Sequence, residues 1–175
     1  MKKIMIVDDN YLSAEGIEKN IDWETLNAEI IHVCYNGTSA IEAMKKEPVD
    51  LIISDIEMPD LDGISMSRQA LEINPMVKII LISAYDKFEY SQKAIDIGVM
   101  SYLTKPINKD VLTDTLRKAM KLVNDRREKV SKDLKVKEKL EVVVPMIESG
   151  FVYSVLLGES NDTSNLTYRE LLGIN

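Results

Sequence analysis

The chain has 175 residues, with 22 lysines and arginines against 29 aspartates and glutamates, for a net charge of −7. That length suits one domain with an appendage, or two small domains, and no apolar run approaches the roughly 20 residues of a membrane span. Its most basic stretch, residues 126–141, interleaves acids with its lysines and arginines, so it reads as a solvated helix surface and not as a grip on nucleic acid.

Met1-Lys2-Lys3 is followed by only Ile4-Met5-Ile6-Val7 before Asp8-Asp9. That run is too short for a secretory core, and a cytoplasmic location is expected. Residues 3–7 read as a first strand, apolar throughout and therefore buried on both faces. A helix over residues 11–20 follows, with Asn10 as its cap. Residues 29–35 have strand composition and carry His32 and Cys34, the single histidine and single cysteine of the chain. One cysteine allows no intrachain disulfide, and one histidine has no second histidine or cysteine to form a site with. Both are read as core or strand residues. Asn36-Gly37 makes a turn, Thr38 is the expected cap of a helix through Lys46, and Pro48 ends that helix. Apolar strands at 50–54 and 78–82 flank a helix from Gly63 to Ile73, which stops before Asn74-Pro75. A helix over 88–97 closes at Gly98, a short strand covers 101–103, and a last helix starts at Asn108 or Lys109. Strand and helix signals alternate five times, which argues for an α/β sheet between helix layers.

Four of these strands end in polar residues of related kinds. Val7 leads into Asp8-Asp9, Ser54 into Asp55, Ile82 into Ser83, and Thr104 into Lys105-Pro106. In a parallel sheet those ends share one edge, where ligands of open α/β folds bind. Clustered carboxylates repel one another unless neutralised. A hard divalent cation with oxygen ligands, together with the Lys105 ammonium, would do so. The expected site therefore holds a metal and an anion together.

Val7-Asp8-Asp9, Asp55 with Met58-Pro59 and Asp62-Gly63, Ser83-Ala84, and Tyr102 with Lys105-Pro106 together resemble the receiver domain of two-component response regulators. The resemblance covers about residues 2–124. It implies a five-stranded parallel sheet in the order 2-1-3-4-5 with helices on both faces, followed here by a C-terminal helical extension. It implies that Asp55 accepts a phosphoryl group from a sensor histidine kinase, with Mg²⁺ (or Mn²⁺) held by Asp8, Asp9, Asp55 and the backbone carbonyl of Glu57. Lys105 and Ser83 would contact phosphoryl oxygens, and the Lys105–Pro106 peptide would be cis. Ser83 and Tyr102 would form the switch, with Tyr102 turning inward as Ser83 moves. Such a module is a phosphoacceptor that assists its own phosphorylation and dephosphorylation, not an enzyme. Ser83 stands where threonine is more frequent, and Glu57 adds an acid at the site mouth that bears on phosphoryl lifetime. Two other readings are a stand-alone receiver acting through protein contacts and an aspartyl-phosphate phosphatase. The phosphatase would need a substrate-covering cap that the sequence does not show.

Residues 1–124 are thus expected to be the receiver, 125–150 a helical coiled-coil linker, and 151–175 the start of a further region. Leu116, Met120, Val123, Arg127, Val130 and Leu134 alternate spacings of four and three, which predicts a homodimer through helix 5 and the linker. Pro145 is expected to kink or end that helix. A loop is expected at 158–162 and a helix at 166–172. Residues 85–90, Ala94-Ile95, Gly98 and 153–158 also resemble Gram-positive regulators with an AraC-type output. That resemblance implies contact with DNA only through an output domain absent from this chain.

Overall fold

A strand with no polar alternation needs a cover on each face, and a parallel sheet between two helix layers provides it. The computed structural model describes residues 1–84 and 88–156. The chain divides into two compact units, Met1–Asn124 and Asp125–Asn175. The first holds β1 (Lys2–Val7), α1 (Tyr11–Asn20), β2 (Ala28–Cys34), α2 (Gly37–Lys46), β3 (Leu51–Asp55), α3 (Gly63–Ile73), β4 (Lys78–Ser83), α4 (Phe88–Ile97) and β5 (Ser101–Thr104). The last helix, α5, spans Lys109–Leu156. All strand pairs are parallel, in the order β2-β1-β3-β4-β5, as the resemblance implied.

Side chains alternate across the sheet and split the core in two. Met5, Val7, Ile52, Ile79 and Leu81 pack with Ile41, Met44, Met66 and Ala70 of α2 and α3. Ile4, Ile6, Ile53, Ile80 and Ile82 pack on the other face with Ala14 and Ile17 of α1 and with Leu112, Leu116 and Met120 of α5. Register sets the functional edge. Val7 lies opposite Ser54, Asp55 opposite Ile82, and Ser83 opposite Thr104, so the four strand ends finish together.

Local chemistry starts and stops the helices. Asn10 accepts the Leu12 and Ser13 amides at 3.0 and 3.2 Å and caps α1. The α2 cap is Asn36, whose side chain accepts the Ser39 amide at 2.8 Å, and not Thr38 as the sequence suggested. An asparagine one residue before the glycine reaches the orphan amides, and Thr38 already lies inside the first turn. Asn108 caps α5 by accepting the Asp110 and Val111 amides. Gly98 closes α4 with φ at 84°, a conformation that costs glycine little.

Two expectations about the C-terminal helix need correction. Leu116, Met120 and Val123 are buried in the first unit, at 0, 5 and 6% exposure, so they are not part of an open dimer seam. The same spacing that suits a coiled coil also lays one helix face on a sheet, and the sheet takes it. Val130 and Leu134 are 44 and 55% exposed. Of the two outcomes expected at Pro145, a kink or an end, the end does not occur, because residues 145–156 are helical. Proline removes one backbone donor, and the bonds on either side of it continue the helix. The expected loop at 158–162 and helix at 166–172 lie outside the described residues. No helix among the described residues is long and apolar enough to cross a membrane.

Leu116→Ala should cost about 3 kcal/mol in urea unfolding, as a filled core position emptied on folding. Val130→Ala should change stability by less than about 0.5 kcal/mol, as exposed substitutions do. Equal losses at the two positions would contradict this division of the helix.

Candidate functional site

The strand-end edge collects charge that the core cannot dilute. Asp8 is 1% and Asp55 5% exposed, both at the ends of central strands. The ammonium of Lys105, arriving from the end of β5, bridges them: Nζ lies 2.5 Å from Asp55 Oδ1 and 3.1 Å from Asp8 Oδ2. The second oxygens are also occupied. Asp55 Oδ2 accepts the Glu57 amide at 2.8 Å, and Asp8 Oδ1 accepts the Asn10 amide at 2.9 Å. Ser83 is fully buried, and its carbonyl accepts the Lys105 amide at 2.8 Å. That bond places the lysine beside the hydroxyl residue of β4. The Lys105–Pro106 peptide is cis, as the resemblance implied.

Not every expected residue joins this trio. Asp9 is exposed, and its carboxylate stands outside the bonded group. Glu57 is exposed and touches Asp55 through its backbone amide. Tyr102 is half-buried on β5 and packs against the core on the α2–α3–α4 face. His32 and Cys34 take no part. The His32 imidazole lies 3.9 Å from the carboxylate of Glu47 at the end of α2, and burial pushes the Cys34 thiol up.

Gly63 shapes the end of β3 beside the site, and the sequence marked it only as part of a motif. A Cβ on it would fall 2.1 Å from the Asp55 carbonyl oxygen and 2.9 Å from Ile56 Cα. The start of α3 can press on the end of β3 only because that atom is missing. The Gly63 amide donates to the Ile56 carbonyl at 2.9 Å, and the Ile56 amide to the Ile82 carbonyl at 2.9 Å. The Asp62-Gly63 pair was the available signal. Asp62 caps α3 by accepting the Ser65 amide at 2.8 Å.

Electrostatics at the site are a contest between burial and pairing. Burial is the largest influence on Asp55 and raises its carboxyl above the usual range, against the hydrogen bond and charge of Lys105. For Lys105 burial acts downward, but the bonds and charges of Asp55 and Asp8 outweigh it and hold the ammonium above its ordinary value. The lysine is therefore firmly charged.

The donors suit a hard cation. Among the described residues no three acid, histidine or cysteine side chains close a metal cage. Mg²⁺ does not need one, because it keeps several waters and takes one or two carboxylates. Asp8 and Asp55 supply buried oxygens with lone pairs to spare, and Asp9 is adjacent in the chain. The residues present fit such an ion.

A parallel sheet with buried acids, a bridging lysine and a buried serine at one edge is the architecture of a phosphoryl-receiving signal module. The model of the response regulator receiver domain matches residues 4–117, and the chain belongs to that family. It is 33% identical over 116 residues to the transcriptional regulatory protein YesN of Bacillus subtilis, covering 66% of this chain and 32% of YesN. It is 30% identical over 108 residues to the transcriptional regulatory protein HptR of Staphylococcus aureus, covering 62% of this chain and 42% of HptR. The chain thus spans well under two thirds of these curated relatives. The receiver domain of AraT, a response regulator from Geobacillus stearothermophilus, superposes with a TM-score of 0.68 at 32% identity, over 72% of this chain and 98% of that one. The two-component transcriptional regulator AraC from Clostridium phytofermentans superposes with a TM-score of 0.66 at 28% identity, over 74% and 99%. Receiver domains of two-component systems are signal receivers paired with sensor histidine kinases, and phosphorylation and output switching are their general function.

The raised Asp55 carboxyl has a consequence for stability. A folded value above the unfolded one gives stability that is complete at low pH and lost as pH rises through the folded value. Asn at this position stays neutral throughout. In chelator, Asp55→Asn should melt above the parent protein at pH 7, and the gap should narrow as pH falls into the carboxylate range. A variant that melts below the parent at pH 7 would contradict the assigned balance.

Proposed function

We propose that Asp55 is the phosphoacceptor of a two-component transcriptional regulator. The observation that carries this reading is the Lys105 ammonium held between Asp55 at 2.5 Å and Asp8 at 3.1 Å. A carboxylate oxygen of Asp55 attacks the phosphorus of a kinase phosphohistidine. The P–N bond breaks, and the imidazole nitrogen keeps the electron pair. Phosphoryl transfer of this kind needs little beyond positioning and charge neutralisation. Asp8, Asp9, Asp55 and the Glu57 carbonyl would hold Mg²⁺ (or Mn²⁺), which supplies further positive charge for the phosphoryl oxygens. Lys105 pairs with one of those oxygens and Ser83 with another. The pull on Ser83 frees space into which Tyr102 turns, which changes the α4–β5–α5 face. This is a local charge event biasing a two-state surface.

The output this switch serves is transcriptional, as in the transcriptional regulatory proteins YesN and HptR, and of the AraC type, as in the Clostridium regulator. DNA contact belongs to that output, not to the receiver. The helix beyond residue 124 acts as the linker and pairs two copies. With Leu116, Met120 and Val123 buried in the receiver, the pairing falls to Val130, Leu134 and the helix that follows.

Incubation with acetyl phosphate and Mg²⁺ should add one phosphoryl group to the intact protein by mass spectrometry, and Asp55→Asn should carry none. Label that survives in that variant, or that forms equally well in chelator, would sink the assignment. For the linker, the parent protein should sediment as a dimer at ~100 µM, above the micromolar range of a modest interface. Val130→Asp with Leu134→Asp should sediment as a monomer. If the parent is already monomeric, the linker reading fails.

A further inference from the structure

We propose that Ser54 is a positioning residue for phosphoryl transfer, because its hydroxyl fixes the peptide that aims a backbone N–H at the Asp55 carboxylate. This role rests on the reading of Asp55 as phosphoacceptor. A serine is out of place where Ser54 stands. It is fully buried on β3, and its partners in register are Val7 of β1 and Leu81 of β4. Both belong to the apolar core packed on α2 and α3. Alanine or valine would fill that row without taking a hydroxyl out of water, which is costly unless the hydroxyl is bonded. Ser54 is bonded: Oγ donates to the carbonyl oxygen of Asp55 at 2.8 Å.

That carbonyl begins a short bonded path that ends on the reactive carboxylate. The Asp55–Ile56 peptide is held at both ends, its carbonyl by the Ser54 hydroxyl and its N–H by the Ile82 carbonyl at 2.9 Å. The carbonyl of the next peptide, that of Ile56, accepts the Gly63 amide at 2.9 Å and the Met58 amide at 3.2 Å. The N–H of the same peptide belongs to Glu57 and donates to Asp55 Oδ2 at 2.8 Å. Two fixed peptide planes thus direct one N–H onto the carboxylate, and that N–H sets which way the carboxylate faces. Gly63 also closes on the Asp55 carbonyl oxygen, where a Cβ would fall 2.1 Å away. The Ser54 hydroxyl is a side-chain anchor in a path otherwise held by backbone groups. Without it the first peptide plane can rock about its flanking bonds, and the Glu57 N–H moves with it. Transfer to a carboxylate oxygen depends on orientation, so a small misplacement lowers its rate.

The test compares Ser54→Ala, Ser54→Cys and Ser54→Thr with the parent, all in the full chain. Acetyl phosphate with Mg²⁺ supplies the phosphoryl group, and the labelling rate is followed by mass spectrometry against donor concentration. Ser54→Ala should lower the limiting rate about tenfold, the scale of one lost orienting bond, and leave the half-saturating donor concentration unchanged. Ser54→Cys keeps the size with a weaker donor and should fall between, which carries the comparison if Ser54→Ala folds poorly. Ser54→Thr keeps the hydroxyl and should recover most of the rate. In the unlabelled protein, the Glu57 amide should exchange with solvent faster in Ser54→Ala than in the parent. Val77→Ala empties a buried position just before β4, at the sheet edge opposite the site. It should destabilise the fold and leave both readouts at the parent values. Parent rates in Ser54→Ala and Ser54→Cys, or an equal loss in Val77→Ala, would overturn this role. Label that persists in Asp55→Asn removes the phosphoacceptor reading and this role with it. Label that needs Asp55 and ignores every Ser54 variant removes this role alone.

Discussion

The site depends on one ammonium placed between two buried carboxylates. Asp8 and Asp55 sit at the ends of neighbouring central strands because β1 and β3 pair directly. Left alone, two ionised acids at that depth would oppose folding by mutual repulsion and lost hydration. Lys105 comes from β5, two strands beyond β3, and its reach joins the sheet's far side to its centre. The same charge that lets the folded protein tolerate its acids is the one that the proposed phosphoacceptor reading assigns to an incoming anion. Stability and function therefore draw on a single contact, and each constrains the other.

Much of this was legible from residue patterns alone. Continuous apolar runs at residues 4–7, 51–53 and 79–82 announced strands buried on both faces, and the register of the sheet brings their polar ends into line. Asp8, Asp55 and Ser83 were visible because each closes such a run, and Lys105 because it follows the short strand Tyr102-Leu103-Thr104. Other features were not legible, for physical reasons. Gly63 looks like any turn glycine until the approach of the Asp55 carbonyl is known. The Asn10 and Glu57 amides that hold the two carboxylates are backbone groups, and backbone groups carry no letter in a sequence. The cap of α2 was misplaced by two residues because Asn36 and Thr38 are both competent caps, and only backbone geometry decides between them.

The last helix shows how one spacing can satisfy two structures. Apolar residues every three or four positions describe a stripe, and a stripe does not name its cover. In α5 the cover changes along the helix. Up to Val123 the stripe lies against the receiver's own sheet, and by Val130 and Leu134 it faces outward. Periodicity alone could not mark that change. The marker is the end of the sheet face on which the helix rests.

The tight approach of Gly63 to the end of β3 makes the edge mechanically uneven. On the α3 side, a backbone contact with no room for a methyl group and the Gly63–Ile56 hydrogen bond pin the strand end in place. On the β5 side, the Lys105 amide bond to Ser83 is followed by a long, jointed side chain. A pull exerted at Asp55 meets stiffness in one direction and compliance in the other. Displacement would run toward β4, β5 and α4, leaving α3 as the fixed frame against which that movement is measured.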